Sequence, residues 1–361
     1  MQLTPLLQQL ERRIIQMAAG SSPDITELVP PDRLTTFLND VLGGFHPARV
    51  ESHIAGFSNV TCFVYRDGNE YVLRRPPAGL LLPTAHDVVR EHRFLNALHP
   101  TAARVPRPIA VCEDPEVIGA PFYLMERKHG FVIRDELPEV FSDPGDRRRI
   151  GLEMTDTLAE LHSVDWQATG LRGKAEGYLD RQINRWSSQA DLTVGKVRNL
   201  PGLQEVTDWL KSNKPGESDS TVVHGDYKLD NVMFASELPV QLISMFDWEM
   251  ATIGDPLADL GWLMNMWGKP PGWQEDDPLP TTALPGFAAR DELAARYAEK
   301  SGRRMEHFSW YQVMATWKLL LILEGLYVHY MTGTASNPDS ARFEIQVPTL
   351  VRRAQLLIDE T

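Results

Sequence analysis

The spacing of apolar and polar residues changes character about a third of the way along the chain. From about residue 45 to 125, RVESHIAGFSNVTCFVYRDGNEYVLRRPP reads as strand, glycine-containing turn, strand, Asp-Gly hairpin and strand, closed by Pro76 and Pro77. The next segment, HDVVREHRFLNAL, puts Val88, Glu91, Leu95 and Leu98 on one face at offsets of three and four, which predicts a helix. RVPRPIAVCEDPEVIGAPFYLMERKHG then gives two more strands around a turn. From about residue 147 the period becomes helical: in DRRRIGLEMTDTLAELHSVDW, Ile150, Met154, Leu158 and Leu161 form one stripe. Further helices are predicted at 178–190, 203–212, 256–267, 290–301 and 309–331, with one β-like island at 222–247. The N-terminal MQLTPLLQQLERRIIQMAAG reads as an amphipathic helix and lacks the basic start and apolar run of a secretory leader. WGKPPGWQEDDPLPTTALPG reads as an exposed Pro- and acid-rich loop, and no fixed-period repeat is present. These patterns predict an α+β, two-lobed chain. A helical extension covers 1–35, a small β-rich lobe with one helix covers 36–125, and a larger helical lobe covers 126–361.

Composition narrows the classes. A chain of 361 residues with 43% hydrophobic and 24% charged residues belongs with folded proteins, and its net charge of −13 argues against a nucleic-acid partner. A local basic patch can still hold a small anion. Cys62 and Cys112 are too few for a disulfide framework or a four-cysteine zinc site, and read as small hydrophobes in a reducing compartment. The most apolar late segment, LLLILEGLYVHY, follows Lys318 and is interrupted by Glu324, so a buried helix is expected rather than a membrane span. The expectation is a cytoplasmic protein without a membrane partner.

The chemistry concentrates in VHGDYKLDN, where His224, Gly225, Asp226 and Asn231 stand as H-G-D-x-x-x-x-N, followed downstream by FDWEMATIGDPLADLGW. VMFA reads as a strand, SELP as a turn and VQLISMF as the returning strand, which predicts Asn231 and Asp247 side by side at the open end of a hairpin. An amide oxygen beside a carboxylate suits Mg²⁺, a hard cation. Asp226, in the loop before the first strand, is placed to accept a proton from a hydroxyl; a loop aspartate capping a turn is the plainer reading of that residue. His224 reads as holding the loop, and Lys228 either as neutralising a transferred phosphate or as a solvated lysine. Asp255 before Pro256 reads as a helix cap, and Asp259 as a brace for the catalytic loop. Neither G-x-S-x-G nor H-E-x-x-H is found, against a hydrolase.

With these motifs the chain resembles the aminoglycoside phosphotransferase and choline kinase-like family, over about residues 45 to 330. YVLRRPP, AHDVVREHRFLNAL and PFYLMER are similar to the branch associated with acyl-CoA dehydrogenases. The resemblance implies a protein-kinase-like fold, with ATP and Mg²⁺ used to phosphorylate a hydroxyl of a small molecule. Carried over by residue, Asp226 is the catalytic base, with His224 and Lys228 beside it, and Asn231 and Asp247 are the Mg²⁺ ligands. Asp247 opens DWE where protein kinases carry D-F-G. Arg74 is the strand cation that meets the phosphates, where most kinases have lysine, and it pairs with the inward Glu91, with Arg75 as competitor. GFSN, from Gly56 through Ser58 to Asn59, is the reduced loop over the phosphates, and the backbone of Met125, Glu126 and Arg127 is the hinge that holds adenine. For the acceptor, the branch suggests a hydroxy acid or hydroxyacyl-CoA met by Arg181 or Arg185. An aminoglycoside or amino-alcohol kinase and a nucleotide-binding pseudokinase with a regulatory role are the alternatives. A homodimer is left open.

Overall fold

The structure is a computed structural model that describes residues 24–53, 59–77, 87–216, 219–269, 271–273, 279–334 and 338–361. The helix expected over the first twenty residues, and Gly56 and Ser58 of the phosphate loop, lie outside the described residues. The chain divides into two compact units. One runs to Thr101 and includes Val105–His129 and Asp247–Glu249; the other takes in Ala102–Arg104, Gly130–Phe246 and Met250–Thr361.

In the first unit, α1 (Ile25–Leu28) and α2 (Pro31–Leu42) precede strands β1 (Arg49–His53), β2 (Val60–Arg66) and β3 (Asn69–Arg75). Helix α3 (Val88–Leu98) and strands β4 (Pro108–Cys112) and β5 (Phe122–Glu126) follow. The five strands form one antiparallel sheet in the order β1-β2-β3-β5-β4. The β2–β3 hairpin closes at the Asp-Gly pair, with Asp67 at φ 50 and Gly68 at φ 71. Both residues lie in the left-handed region that a two-residue type I′ turn demands. The boundary expected between 35 and 36 falls inside α2, whose Leu34 and Leu38 are buried with Val64, Leu73, Phe122 and Leu124. Each such leucine contributes about 1.5–3 kcal/mol by leaving water, so α2 is part of this core. Cys62 and Cys112 are free thiols in the same core, and burial pushes Cys62 up to about 12. Val88, Glu91, Leu95 and Leu98 of α3 are all buried, the charged one included.

In the second unit, α4 (Pro144–His162) starts at Asp143, whose carboxylate accepts the Gly145 N–H at 2.7 Å, with Pro144 in the first helical position. Its stripe of Ile150, Met154, Leu158 and Leu161 is fully buried. Helices α5 (Tyr178–Thr193) and α6 (Leu203–Ser212) lead to four short strands, β6 (Thr221–Val223), β7 (Val232–Phe234), β8 (Leu242–Met245) and β9 (Thr252–Gly254). After them come α7 (Leu257–Asn265), α8 (Arg290–Ser301), α9 (Phe308–Met331) and α10 (Phe343–Asp359). The single β island expected at 222–247 is two sheets. Strands β7 and β8 pair as the expected hairpin, while β6 pairs with β9, each only three residues long and too short to show a period.

Helix α10 has no counterpart among the expected elements, because Pro348 sits inside it. Proline removes the N–H that would reach the carbonyl four residues back, that of Glu344. Arg198 replaces it: Nη1 donates to Glu344 O at 2.6 Å and Nη2 to Phe343 O at 3.0 Å. The same guanidinium pairs with the fully buried Glu324 of α9 at 2.5 Å, which is how a carboxylate is tolerated in that apolar helix. Among the described residues no helix is long and apolar enough to cross a membrane.

Candidate active site

Strand β6 delivers the chain into the loop that begins at His224. His224 is fully buried; its Nε2 donates to Phe246 O at 2.8 Å, while Nδ1 accepts the Asp226 N–H at 3.3 Å. Those partners select the neutral tautomer with the proton on Nε2. From below, Asp259 of α7 accepts two backbone N–H groups of the loop, from His224 at 2.6 Å and Gly225 at 2.7 Å. His162 Nε2 approaches the same carboxylate at 3.3 Å, and its Nδ1 meets Tyr297 Oη at 2.7 Å. Burial opposes the charge on Asp259, yet the hydrogen bond and charge of His162, with the Gly225 N–H, hold it below the usual carboxylate range. Gly225 sits at φ +83, and a Cβ there would lie 2.6 Å from Met250 O, so only glycine fits.

Asp226 is therefore presented by a loop braced on several sides. Trp262 Nε1 donates to its Oδ1 at 2.8 Å, and Asn231 Nδ2 donates to its Oδ2 at 2.8 Å and to its backbone oxygen at 2.9 Å. Lys228 Nζ lies 3.1 Å from Oδ2, and the Asp226 side chain keeps 22% of its surface exposed. With its NH₂ committed to Asp226, the Asn231 amide turns its oxygen the other way, a hard donor set apart from the base. The β7–β8 ladder extends to a bond from Phe246 N–H to Asn231 O at 2.8 Å, one residue before Asp247.

Lys318 of α9 was not foreseen as part of this loop. Its Nζ donates to Gly225 O at 2.8 Å and stands 4.2 Å from the centre of the Trp262 ring. Burial pushes Lys318 down to about 8, with Asp226 and Asp259 pulling it back up. Trp262 was equally unforeseen. The available signals were a lysine opening an apolar run and a tryptophan three residues after Asp259, one helical turn along the same face. Asp255 is buried and accepts the Leu257 N–H at 3.0 Å and the Tyr311 hydroxyl at 2.6 Å, a cap and a tie between helices. Arg181 does not offer a free fork, because its Nη1 and Nη2 hold the carbonyls of Glu176 and Lys174 ahead of α5. Arg185 is exposed and lies 5.4 Å from the Trp186 ring centre.

The first unit carries the other set. Arg74 and Arg75 are neighbours on β3 and so point to opposite faces. Arg75 binds the carbonyls of Pro76, Leu28 and Ile118, whereas Arg74 meets Glu91 through Nε at 3.3 Å and Asp247 through Nη2 at 3.0 Å. Glu91 also accepts the Tyr123 hydroxyl at 3.0 Å and Asn59 Nδ2 at 2.6 Å. Burial pushes Glu91 up to about 7 against the pull of Arg74. Burial also opposes the charge on Arg74, but Tyr123, Glu91 and Asp247 hold its proton more tightly than usual. Asp247 adopts φ 63, a left-handed conformation that costs an aspartate energy and is kept where the surroundings impose it. Carboxylate oxygens of Glu91, Asp247 and Glu249 lie within 4.8 Å of one another. Glu91 is consumed by its three donors, so a hard cation would fall to Asp247, with Glu249 as an unforeseen neighbour.

At the expected hinge, the N–H of Glu126 donates to Arg107 O at 2.9 Å and that of Arg127 to Glu70 O at 3.3 Å. The Arg127 side chain pairs with Glu70 at 3.2 Å and lies over Phe63 at 3.6 Å, and Met125 is buried in the sheet. Both N–H groups are thus engaged within the sheet.

A model described as Phosphotransferase enzyme family matches residues 49–308. The human protein named Acyl-CoA dehydrogenase family member 11 is 32% identical over 342 residues, which are 90% of this chain and 43% of that protein. The chain thus spans less than half the length of that curated relative. A crystal structure from Ralstonia eutropha, provisionally named an aminoglycoside phosphotransferase, is 31% identical, with a TM-score of 0.76 over 90% of this chain and 98% of that one. The GDP complex of aminoglycoside 2'-phosphotransferase-IIIa shares the fold at 14% identity, with a TM-score of 0.56 over 90% and 98% of the two chains.

Proposed function

The chain belongs to the phosphotransferase enzyme family, and we propose that it transfers phosphate from ATP, with Mg²⁺, to a hydroxyl of a small anionic molecule, a hydroxy acid or hydroxyacyl-CoA. The observation that carries the proposal is the state of Asp226. Its carboxylate is oriented by Trp262 and Asn231, part-exposed, and mounted on a loop that His224, Asp259 and Lys318 hold by the backbone. A carboxylate so placed takes the proton of an acceptor hydroxyl as the oxygen attacks, and general-base catalysis of this kind contributes roughly 10²–10⁴-fold. Lys228, 3.1 Å from Oδ2, keeps positive charge beside the attacking oxygen. Asn231, whose amide oxygen faces away from Asp226, and Asp247, whose left-handed backbone is retained against its cost, have the oxygen donors that Mg²⁺ prefers. When bound, the ion neutralises phosphate charge. Arg74, fixed by Glu91 and Asp247, supplies the cation for the nucleotide phosphates.

The anionic acceptor is favoured by the cations near the base: Lys228 beside the carboxylate, Lys318 on Gly225 O, and exposed Arg185, which opposes the charge on Lys318. A polycationic aminoglycoside would meet those charges unfavourably. The relative named for acyl-CoA dehydrogenase points the same way. Arg181 moves from acceptor contact to support of the segment before α5. The test is nucleotide consumption with MgATP against hydroxy acids, hydroxyacyl-CoAs, choline and aminoglycosides, for wild type and Asp226→Asn. Turnover with an anionic acceptor, lost in the variant, is expected; equal turnover in both, or turnover with cationic acceptors only, overturns the assignment.

A further inference from the structure

Away from the loop, the second unit carries a half-open cavity of about 320 Å³ between α9, α10 and the chain that follows α7. Leu319, Leu323 and Leu350 are among its apolar lining. The lining also carries hydrogen-bond donors. Asn265 is 8% exposed; its Oδ1 accepts from the Thr316 hydroxyl at 3.1 Å, and its Nδ2 has no acceptor among the described residues. Trp273 Nε1 also has no acceptor among the described residues, and Lys269 Nζ stands 4.1 Å from that ring's centre. Arg353 lines the cavity and raises the positive potential at Arg290. No Asp or Glu is among the described wall residues.

Buried donors without acceptors destabilise a fold, and native structures keep few unless a ligand or ion satisfies them. Among the described residues two such donors, Asn265 Nδ2 and Trp273 Nε1, line this space together with the Arg353 guanidinium. An acceptor-only, negatively charged head matches them, and the leucine lining matches an apolar body. We propose that this cavity binds a small carboxylate with an apolar chain, its head on Asn265, Trp273 and Arg353 and its chain against Leu319, Leu323 and Leu350. The proposal stands independently of the phosphotransferase reading.

Octanoate is the probe, titrated into the full chain and followed by calorimetry, with octan-1-ol as the uncharged isostere. Saturable octanoate binding is expected, at least about tenfold tighter than octanol, since the head makes charge-assisted hydrogen bonds. Arg353→Met and Asn265→Leu are each expected to weaken octanoate about tenfold or more and to leave octanol nearly unchanged. Asp226→Asn, which tests the other reading, is expected to bind octanoate like wild type. No saturable binding to wild type, or equal binding of octanoate and octanol, overturns the proposal without recourse to any variant. Undiminished octanoate binding in both cavity variants overturns it as well.

Discussion

The loop at 224–231 and the Arg74–Glu91 cluster are both polar groups set into apolar surroundings, and they are satisfied in opposite ways. In the loop, neutral groups and backbone atoms carry most of the bonding: His224 to Phe246 O, Asp259 to two N–H groups, Trp262 and Asn231 to Asp226. The charge that matters, on Asp226, keeps 22% of its side chain exposed. In the cluster the charges meet one another, and Glu91 is wholly buried under Arg74, Tyr123 and Asn59. Asp226, oriented by two neutral donors with Lys228 beside it, stays part-exposed and open to a hydroxyl, whereas Glu91, closed over by an arginine, a phenol and an amide, is a fixed point for its partner. The difference teaches that equal polarity in sequence hides two duties, chemistry and positioning.

The largest effect should come from the exposed charge. Asp226→Asn keeps the shape and the Trp262 side of the contact, so kcat is expected to fall about 10²–10⁴-fold with little change in the urea midpoint. Steady-state kinetics beside an unfolding curve read both. Arg74→Met should do the reverse in emphasis: it leaves Glu91 buried without its cation, and roughly 3–5 kcal/mol of unfolding free energy is expected to be lost. If Arg74→Met unfolds like wild type, the cluster is not a buried charge pair of consequence. Gly225→Ala asks for a left-handed alanine with its Cβ 2.6 Å from Met250 O. A cost of about 1–3 kcal/mol is expected, with activity falling because the next residue is the base. Thermal denaturation and turnover measured on one preparation check it.

The smallest effect sharpens the comparison through pH. Lys318 is pushed down by burial from 10.5 to about 8, so its charge on Gly225 O is present below about pH 8 and is lost as pH rises through that value. The unfolded chain keeps the proton up to about 10.5, so between the two values it binds more protons, and this group makes stability rise with pH there. Lys318→Met is expected to flatten that rise and to remove an alkaline fall in kcat/KM centred near 8. A pH profile with the same alkaline limb in the variant would assign that limb to another group.

Much of the architecture was readable because it rests on local periods. The stripe Ile150, Met154, Leu158 and Leu161 and the Asp-Gly turn at 67 and 68 each follow from neighbours within one or two turns of chain. Helix α10 was not readable, since its proline is tolerated only by Arg198, far away in sequence. Strands β6 and β9 were missed for want of length. Within the site, His224, Asp226 and Asn231 were legible as a spaced motif, but Trp262 and Lys318 were not. Their function comes from where α7 and α9 carry them, and as residues of apolar helices they look like core.

By itself, then, the sequence determined the two-lobed α+β order of elements and the loop in which the chemistry is proposed to lie, because hydrophobic period and motif spacing act over a few residues. Tertiary structure decided which arginine meets Glu91, since adjacent residues on β3 face opposite ways and only one side holds the acid. It also decided that Arg181 is spent on carbonyls, and that a lysine from a helix some ninety residues later sits on the loop carrying Asp226. Hydrogen bonds and charges are fixed by distance in space, and distance in space is set only once the chain has packed.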